Sequence, residues 1–167
     1  MSSKFSPIVG RYVHVTVKGV EYRVYFEEAG QGTPVLFQHT AGSDGRQWRH
    51  LLESPELTSR FRFVAYDLPY HGKSLPPLGN PWWSERYSLN QSFLLDFVGA
   101  MVEALEMEKP IYVGCSMGAT SPPTSRSCGR ACSGLWSPSK AASPPTIPSR
   151  SLNIYRIPGP RTIPRRR

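Results

Sequence analysis

Pro110-Ile111-Tyr112-Val113-Gly114-Cys115-Ser116-Met117-Gly118 joins a short apolar run to a complete G-x-S-x-G pentapeptide. The apolar half has the length and the β-branched and aromatic content of a buried strand. The pentapeptide has a physical logic of its own. A serine whose oxygen must project into solvent from a very sharp turn needs a strained backbone, and glycines on either side remove the Cβ atoms that would collide there.

Upstream of this stretch, the spacing predicts a helix opening at Ser88. With Gln91 three residues on, Ser88 has the form of a capping box. Leu94, Phe97, Val98, Met101, Val102 and Leu105 then recur at helical intervals, giving one apolar face. Arg62–Asp67 and Pro34–His39 read as two more buried strands. Between them lies a short helix with Trp48, Leu51 and Leu52 turned inward, which Ser54-Pro55 is expected to stop. Val13, Val15 and Val17 alternate with polar neighbours, as do Val20, Tyr22, Val24 and Phe26, around Lys18-Gly19. That pattern predicts a hairpin. Hairpin, strand, helix, strand, helix, strand is the alternation of an α/β fold with a parallel sheet and covering helices.

Downstream the rules change. Residues 120–167 hold nine Pro, nine Ser and nine Lys or Arg, with no acid, Phe, Val, Met or His. Residues 1–119 carry 11 basic against 12 acidic side chains, so the net charge of +8 over 167 residues comes wholly from the last 48. Such a segment buries too little surface to offset its conformational entropy, and a disordered basic tail over 120–167 is expected after a domain over 1–119. Leu135-Trp136 and Ile154-Tyr155 are its only apolar pairs. An out-of-frame reading of a GC-rich gene would give this composition and the abrupt switch at 119–120.

Composition excludes several classes. No apolar run approaches the roughly 20 residues of a membrane span. The first residues, Met1-Ser2-Ser3-Lys4-Phe5, lack the apolar stretch of a secretory signal, which points to a cytoplasmic location. Cys115, Cys128 and Cys132 are an odd count and make no disulfide framework; the lone C-x3-C pair falls short of the four ligands zinc takes. No metal and no organic cofactor is implied.

Three motifs in order resemble the α/β-hydrolase family over roughly residues 10–119. His39-Thr40-Ala41-Gly42 is similar to its oxyanion loop, with Thr40 in place of a glycine. Asp67-Leu68-Pro69-Tyr70-His71-Gly72-Lys73-Ser74 is similar to its D-x-P-G-H-G-x-S loop, with Tyr70 in place of a glycine. Gly114–Gly118 resembles its nucleophile elbow. By that resemblance Ser116 is the nucleophile, and the amides of Ala41 and Met117 form the oxyanion hole. Gly114, Gly118, His39 and Gly42 support the elbow and the loop. A serine there sets aside the branches that attack with aspartate, and leaves ester, thioester, amide, lactone or carbon–carbon bond hydrolysis open. The implied partner is a small ester-like substrate.

The family order is Ser, then Asp or Glu, then His, yet no Asp, Glu or His follows Ser116. His39 and His71 read as loop braces, Asp67 as a strand-end cap, and His14 and His50 as surface positions. Trp82 and Trp83 could line a pocket but read better as loop packing. The family sheet has eight strands, of which this chain supplies the first five by resemblance. The expectation is thus an α/β-hydrolase fragment, inactive alone, whose last strand leaves an apolar edge open to self-association. Two other readings compete. One is a non-catalytic protein whose basic tail binds nucleic acid or anionic lipid, against which stand scattered charges and the lack of a nucleic-acid fold signature. The other is a split hydrolase completed by a second polypeptide.

Overall fold

The computed structural model describes residues 8–118, apart from Leu78, Glu85 and Tyr87, together with residues 152–156. The N-terminal hairpin forms as expected: β1 (Val9–Val17) pairs antiparallel with β2 (Val20–Ala29), Val17 facing Val20. The two turn residues, Lys18 and Gly19, have φ of 50° and 80°. Both left-handed, they match the twist of the flanking strands, as tight hairpin turns must.

β3 (Thr33–Gln38), β4 (Phe61–Tyr66) and β5 (Ile111–Cys115) are the parallel strands read from the sequence. The sheet runs β1-β2-β4-β3-β5-β6, with β3 central between β4 and β5 and β2 joining β4 antiparallel. Pleating sends alternate residues to opposite faces. Leu36, Val64, Tyr66 and Tyr112 enter one core with Phe97, Val98 and Met101, while Val35, Phe37, Phe63, Ala65 and Val113 enter a second with Trp48 and Leu52. Each strand is therefore mostly apolar because both of its faces are covered.

The helices differ from expectation in their ends. α1 (Arg49–Leu52) follows a 3-10 turn at Gly45–Trp48. α1 ends before Ser54-Pro55 as expected, and Pro55 then occupies the first turn of a further short helix, α2 (Pro55–Thr58), capped by Ser54. Proline's missing amide costs nothing there, since the first helical amides lack intrahelical partners. α3 spans Gln91–Ala104 with Asn90 as its cap, Oδ1 accepting the Phe93 amide at 2.9 Å. The cap is thus two residues later than Ser88, because a short amide side chain directly before the first turn reaches its third amide. Leu94, Phe97, Val98, Met101 and Val102 form the buried face as the periodicity predicts.

The segment after 119 lies outside the described residues except at β6 (Leu152–Arg156), which pairs antiparallel with β5, Tyr155 opposite Tyr112. One correction follows: the outer edge of β5, expected to be bare, is paired by residues 152–156. The pairing includes Ile154-Tyr155, two consecutive residues of strand propensity.

Candidate active site

Parallel strands end on the same side of a sheet, so β3, β4 and β5 deliver their following loops to one edge, where ligands of open α/β sheets bind. Gln38 pairs with Tyr66 on one side and Gly114 on the other. One residue further along β3 and β4 stand His39 and Asp67; two residues beyond Gly114 stands Ser116. The register thus gathers all three motifs.

Ser116 is solvent-exposed, opens a 3-10 turn directly after β5, and has φ of 51°. A non-glycine residue in this region costs about 1–2 kcal/mol, so its backbone is held against preference by what surrounds it. Gly114, before it, is buried in the strand; Met117, after it, packs against the α3 core. Cys115 is a free thiol packed against the opposite core.

The loop after β3 is braced rather than loose. The Thr40 amide donates to Gln47 Oε1 at 3.1 Å, and the Ser43 amide donates to the Thr40 carbonyl at 3.2 Å. Gly42 has φ of 73°, which a glycine accepts freely. Thr40, by contrast, is not in the left-handed region, so its side chain at the family's glycine position introduces no strain there. Ala41 is exposed, and among the described residues its amide makes no backbone hydrogen bond.

His39 is fully buried, with both ring nitrogens engaged. Nδ1 donates to the Thr40 carbonyl at 2.8 Å, and Nε2 accepts the Leu68 amide hydrogen at 3.0 Å. That pair of partners fixes the neutral tautomer protonated on Nδ1. Burial pushes its pKa below the ordinary histidine value, partly offset by the Thr40 hydrogen bond and reinforced by His71, whose ring centroid is 5.0 Å away. His39 thus bonds the loops after β3 and β4 at once. His71 Nδ1 bonds the Pro69 carbonyl at 2.9 Å within its own loop, His14 pairs with Glu21 on the hairpin surface, and His50 is exposed on α1.

Asp67 ties the loops together. Oδ1 accepts the Gly45 amide and Oδ2 the Lys73 amide, each at 2.7 Å, and Ser74 Oγ donates to the Asp67 carbonyl at 2.7 Å. The cap inferred from sequence therefore spans two loops. Tyr70 has φ of 66°. The family's glycine position is thus a left-handed one that this chain fills with a bulky residue.

Sequence reading missed a buried polar cluster one layer below. Gln38, fully buried, accepts through Oε1 from Tyr66 OH at 2.7 Å and Tyr112 OH at 2.9 Å. One side chain thereby cross-links β3, β4 and β5 just short of their loops. Burial raises the Tyr66 phenol well above its usual pKa and keeps it a donor. The available signal was a glutamine ending an otherwise apolar strand. Trp82 packs on Tyr70 and Trp83, yet both tryptophans stay largely in solvent, 43% and 73% exposed.

Among the described residues no group of three or more His, Cys, Asp or Glu side chains is placed to hold a metal ion, and no helix is long and apolar enough to cross a membrane.

Residues 33–120 match the alpha/beta hydrolase fold family. The chain is 36% identical over 97 residues to a pimeloyl-acyl-carrier-protein methyl ester esterase of Methylococcus capsulatus, an overlap covering 58% of this chain and 32% of that one. It is 35% identical over 95 residues to the dihydrolipoyllysine-residue acetyltransferase component of the acetoin cleaving system of Pseudomonas putida, covering 56% and 23%. A thermophilic esterase from Thermogutta terrifontis aligns in structure with a TM-score of 0.54 at 25% identity, over 66% of this chain and 38% of that one. An epoxide hydrolase from Vigna radiata aligns with a TM-score of 0.56 at 27% identity, over 69% of this chain and 34% of that one, and a haloalkane dehalogenase from Agrobacterium tumefaciens shares the same fold at 23% identity. The chain spans between 23% and 32% of the length of these two curated relatives. It belongs to the α/β-hydrolase fold family.

Proposed function

We propose that this chain presents the nucleophile-bearing half of a serine hydrolase acting on small esters, and that it does not turn over alone. The observation that carries the reading is the left-handed backbone of Ser116, an exposed serine at the end of a buried parallel strand. In this role the Ser116 hydroxyl adds to the ester carbonyl carbon, the alcohol leaves, and water later releases the acid from the acyl-enzyme. The Ala41 and Met117 amides hold the oxyanion, a contribution of about 2.7–4 kcal/mol per donor in other enzymes. The esterases of Methylococcus and Thermogutta are consistent with an ester, and serine at the elbow favours it over an epoxide or a haloalkane.

Addition also requires a base for the hydroxyl proton. His39 has no free nitrogen to offer, and no Asp, Glu or His follows Ser116. Loss of the histidine costs about a million-fold in kcat in a comparable triad enzyme. The expected result is no turnover of p-nitrophenyl acetate and no labelling of Ser116 by a fluorophosphonate; rapid stoichiometric labelling would overturn the inactivity. The elbow is tested apart from the base. High imidazole concentration is expected to bring slow labelling that Ser116→Ala abolishes, and labelling that survives in that variant would place the reactive oxygen elsewhere.

A further inference from the structure

The two hydrogen bonds of His39 make the loop after β3 sensitive to a single proton. Nδ1 donates to the Thr40 carbonyl, an acceptor shared with the Ser43 amide, and Nε2 accepts the amide hydrogen of Leu68 in the loop after β4. A neutral imidazole is donor and acceptor at once, whereas a protonated one is a donor at both nitrogens. A proton on Nε2 therefore sets N–H against N–H across 3.0 Å, in a fully buried place. Neither group can turn to water there, and a buried donor left unpaired is costly.

The groups that face the ring do not relieve this conflict. Burial opposes the proton most strongly, against the Thr40 carbonyl, which favours it. His71, from the loop after β4, packs its ring on that of His39 and opposes the proton as well. Asp67, at the end of β4, favours it by charge, but its two oxygens already accept the Gly45 and Lys73 amides. Asp44, in the loop after β3, also favours it, and its carboxylate is held by the Arg46 guanidinium.

The two loops differ in what else holds them. Leu68 is fully buried against the α3 core, while Ala41 and Gly42 are exposed. When the bond between His39 and Leu68 fails, Thr40–Ser43 is the side that yields. Its far end is fixed by the Gly45 amide on Asp67, a pairing that a proton on the imidazole does not turn into two opposed donors.

We propose that His39 is an acid-released latch: protonation of Nε2 breaks its bond to Leu68 and loosens Thr40–Ser43, while the Asp67 clamp and the sheet stay in place. On the hydrolase reading the loosened segment carries an oxyanion donor, the Ala41 amide; the latch itself does not rest on that reading.

The test is an NMR titration of the nitrogen-15-labelled full chain from pH 8 to pH 4.5. The His39 ring is expected to show the tautomer protonated on Nδ1 at pH 8 and to titrate with a midpoint below 6.5, the ordinary histidine value. The Leu68, Ala41 and Gly42 amides are expected to shift or broaden with that same midpoint, while the Gly45 and Lys73 amides hold their positions. His71→Gln is expected to leave this coupling in place. The inference is overturned if His39 does not titrate in this range, or titrates with the Leu68 and Ala41 amides unmoved. It is equally overturned if Gly45 and Lys73 change along with them, since the fold as a whole then gives way, or if His71→Gln abolishes the response, which makes His71 the sensor.

Discussion

Gly72 stands so close to Asp67 that a Cβ at position 72 would lie 2.2 Å from Asp67 Oδ2 and 2.6 Å from its Cγ. The carboxylate that joins the loops after β3 and β4 therefore occupies the space any larger residue would need. Gly72 also has φ of 51°, so Gly72→Ala combines strain of about 1–2 kcal/mol with a steric clash. The expected loss, by urea unfolding, exceeds about 2 kcal/mol. A loss below about 0.5 kcal/mol, the scatter of ordinary surface substitutions, would mean that the carboxylate moves aside freely.

His39 gives the fold a pH dependence. Burial depresses its folded pKa below the unfolded value near 6.5. Above that value both states are neutral and its hydrogen bonds contribute fully. As pH falls below about 6.5 the unfolded chain takes up a proton that the folded one resists, so stability declines until pH has passed the lowered folded value. Urea unfolding from pH 8 downward should show this decline, and His39→Gln should flatten it. A second acid loss belongs to Glu28. Burial pushes its carboxyl up, but the guanidiniums of Arg62 and Arg11 more than offset that and hold it below the ordinary value. Its contribution is present above about pH 4.5 and lost as pH falls through the lowered value.

The Gln38 cluster should be strongly non-additive. Gln38→Leu removes the acceptor of the Tyr66 phenol, which costs about 1–3 kcal/mol to leave unpaired, and one acceptor of the Tyr112 phenol. Replacing the phenols as well, with Tyr66→Phe and Tyr112→Phe, removes the hydroxyls that lost an acceptor. The triple variant is therefore expected to be more stable than Gln38→Leu alone, as thermal unfolding would measure. Equal or lower stability in the triple variant would contradict the hydrogen-bond account.

Helix capping separates two neighbouring positions. Asn90→Ala removes the side chain that accepts the Phe93 amide, and should cost about 1 kcal/mol. Ser88→Ala, two residues outside the cap, should cost less than about 0.5 kcal/mol. The reverse order would restore the capping box that the sequence spells.

The strands and the long helix were legible because their signals repeat. Val13, Val15 and Val17, or Leu94, Phe97 and Met101, declare a buried face several times over. Boundaries are set by single hydrogen bonds, and several side chains near Gln91 are chemically able to cap; the choice of Asn90 over Ser88 depends on where the chain enters the helix. The candidate site divides the same way. Ser116, His39 and Asp67 were visible because a sharp turn, a brace and a cap need those residue types in that order. Gln38 with Tyr66 and Tyr112 was not, since its members are 28 and 74 residues from Gln38 and meet only through strand register. Trp82 and Trp83 were legible only in part: indoles are usually covered, and these two pack on each other yet stay largely in water.

The direction of β6 bears on the split-enzyme reading. A second polypeptide that completed the sheet by adding its own strands beside β5 would find the hydrogen-bonding groups there already matched from Ile111 to Cys115. Complementation would thus be a competition, with residues 152–156 as the resident occupant and the newcomer obliged to evict them. A chain shortened to end before residue 152 should accept such a fragment more readily than the intact one.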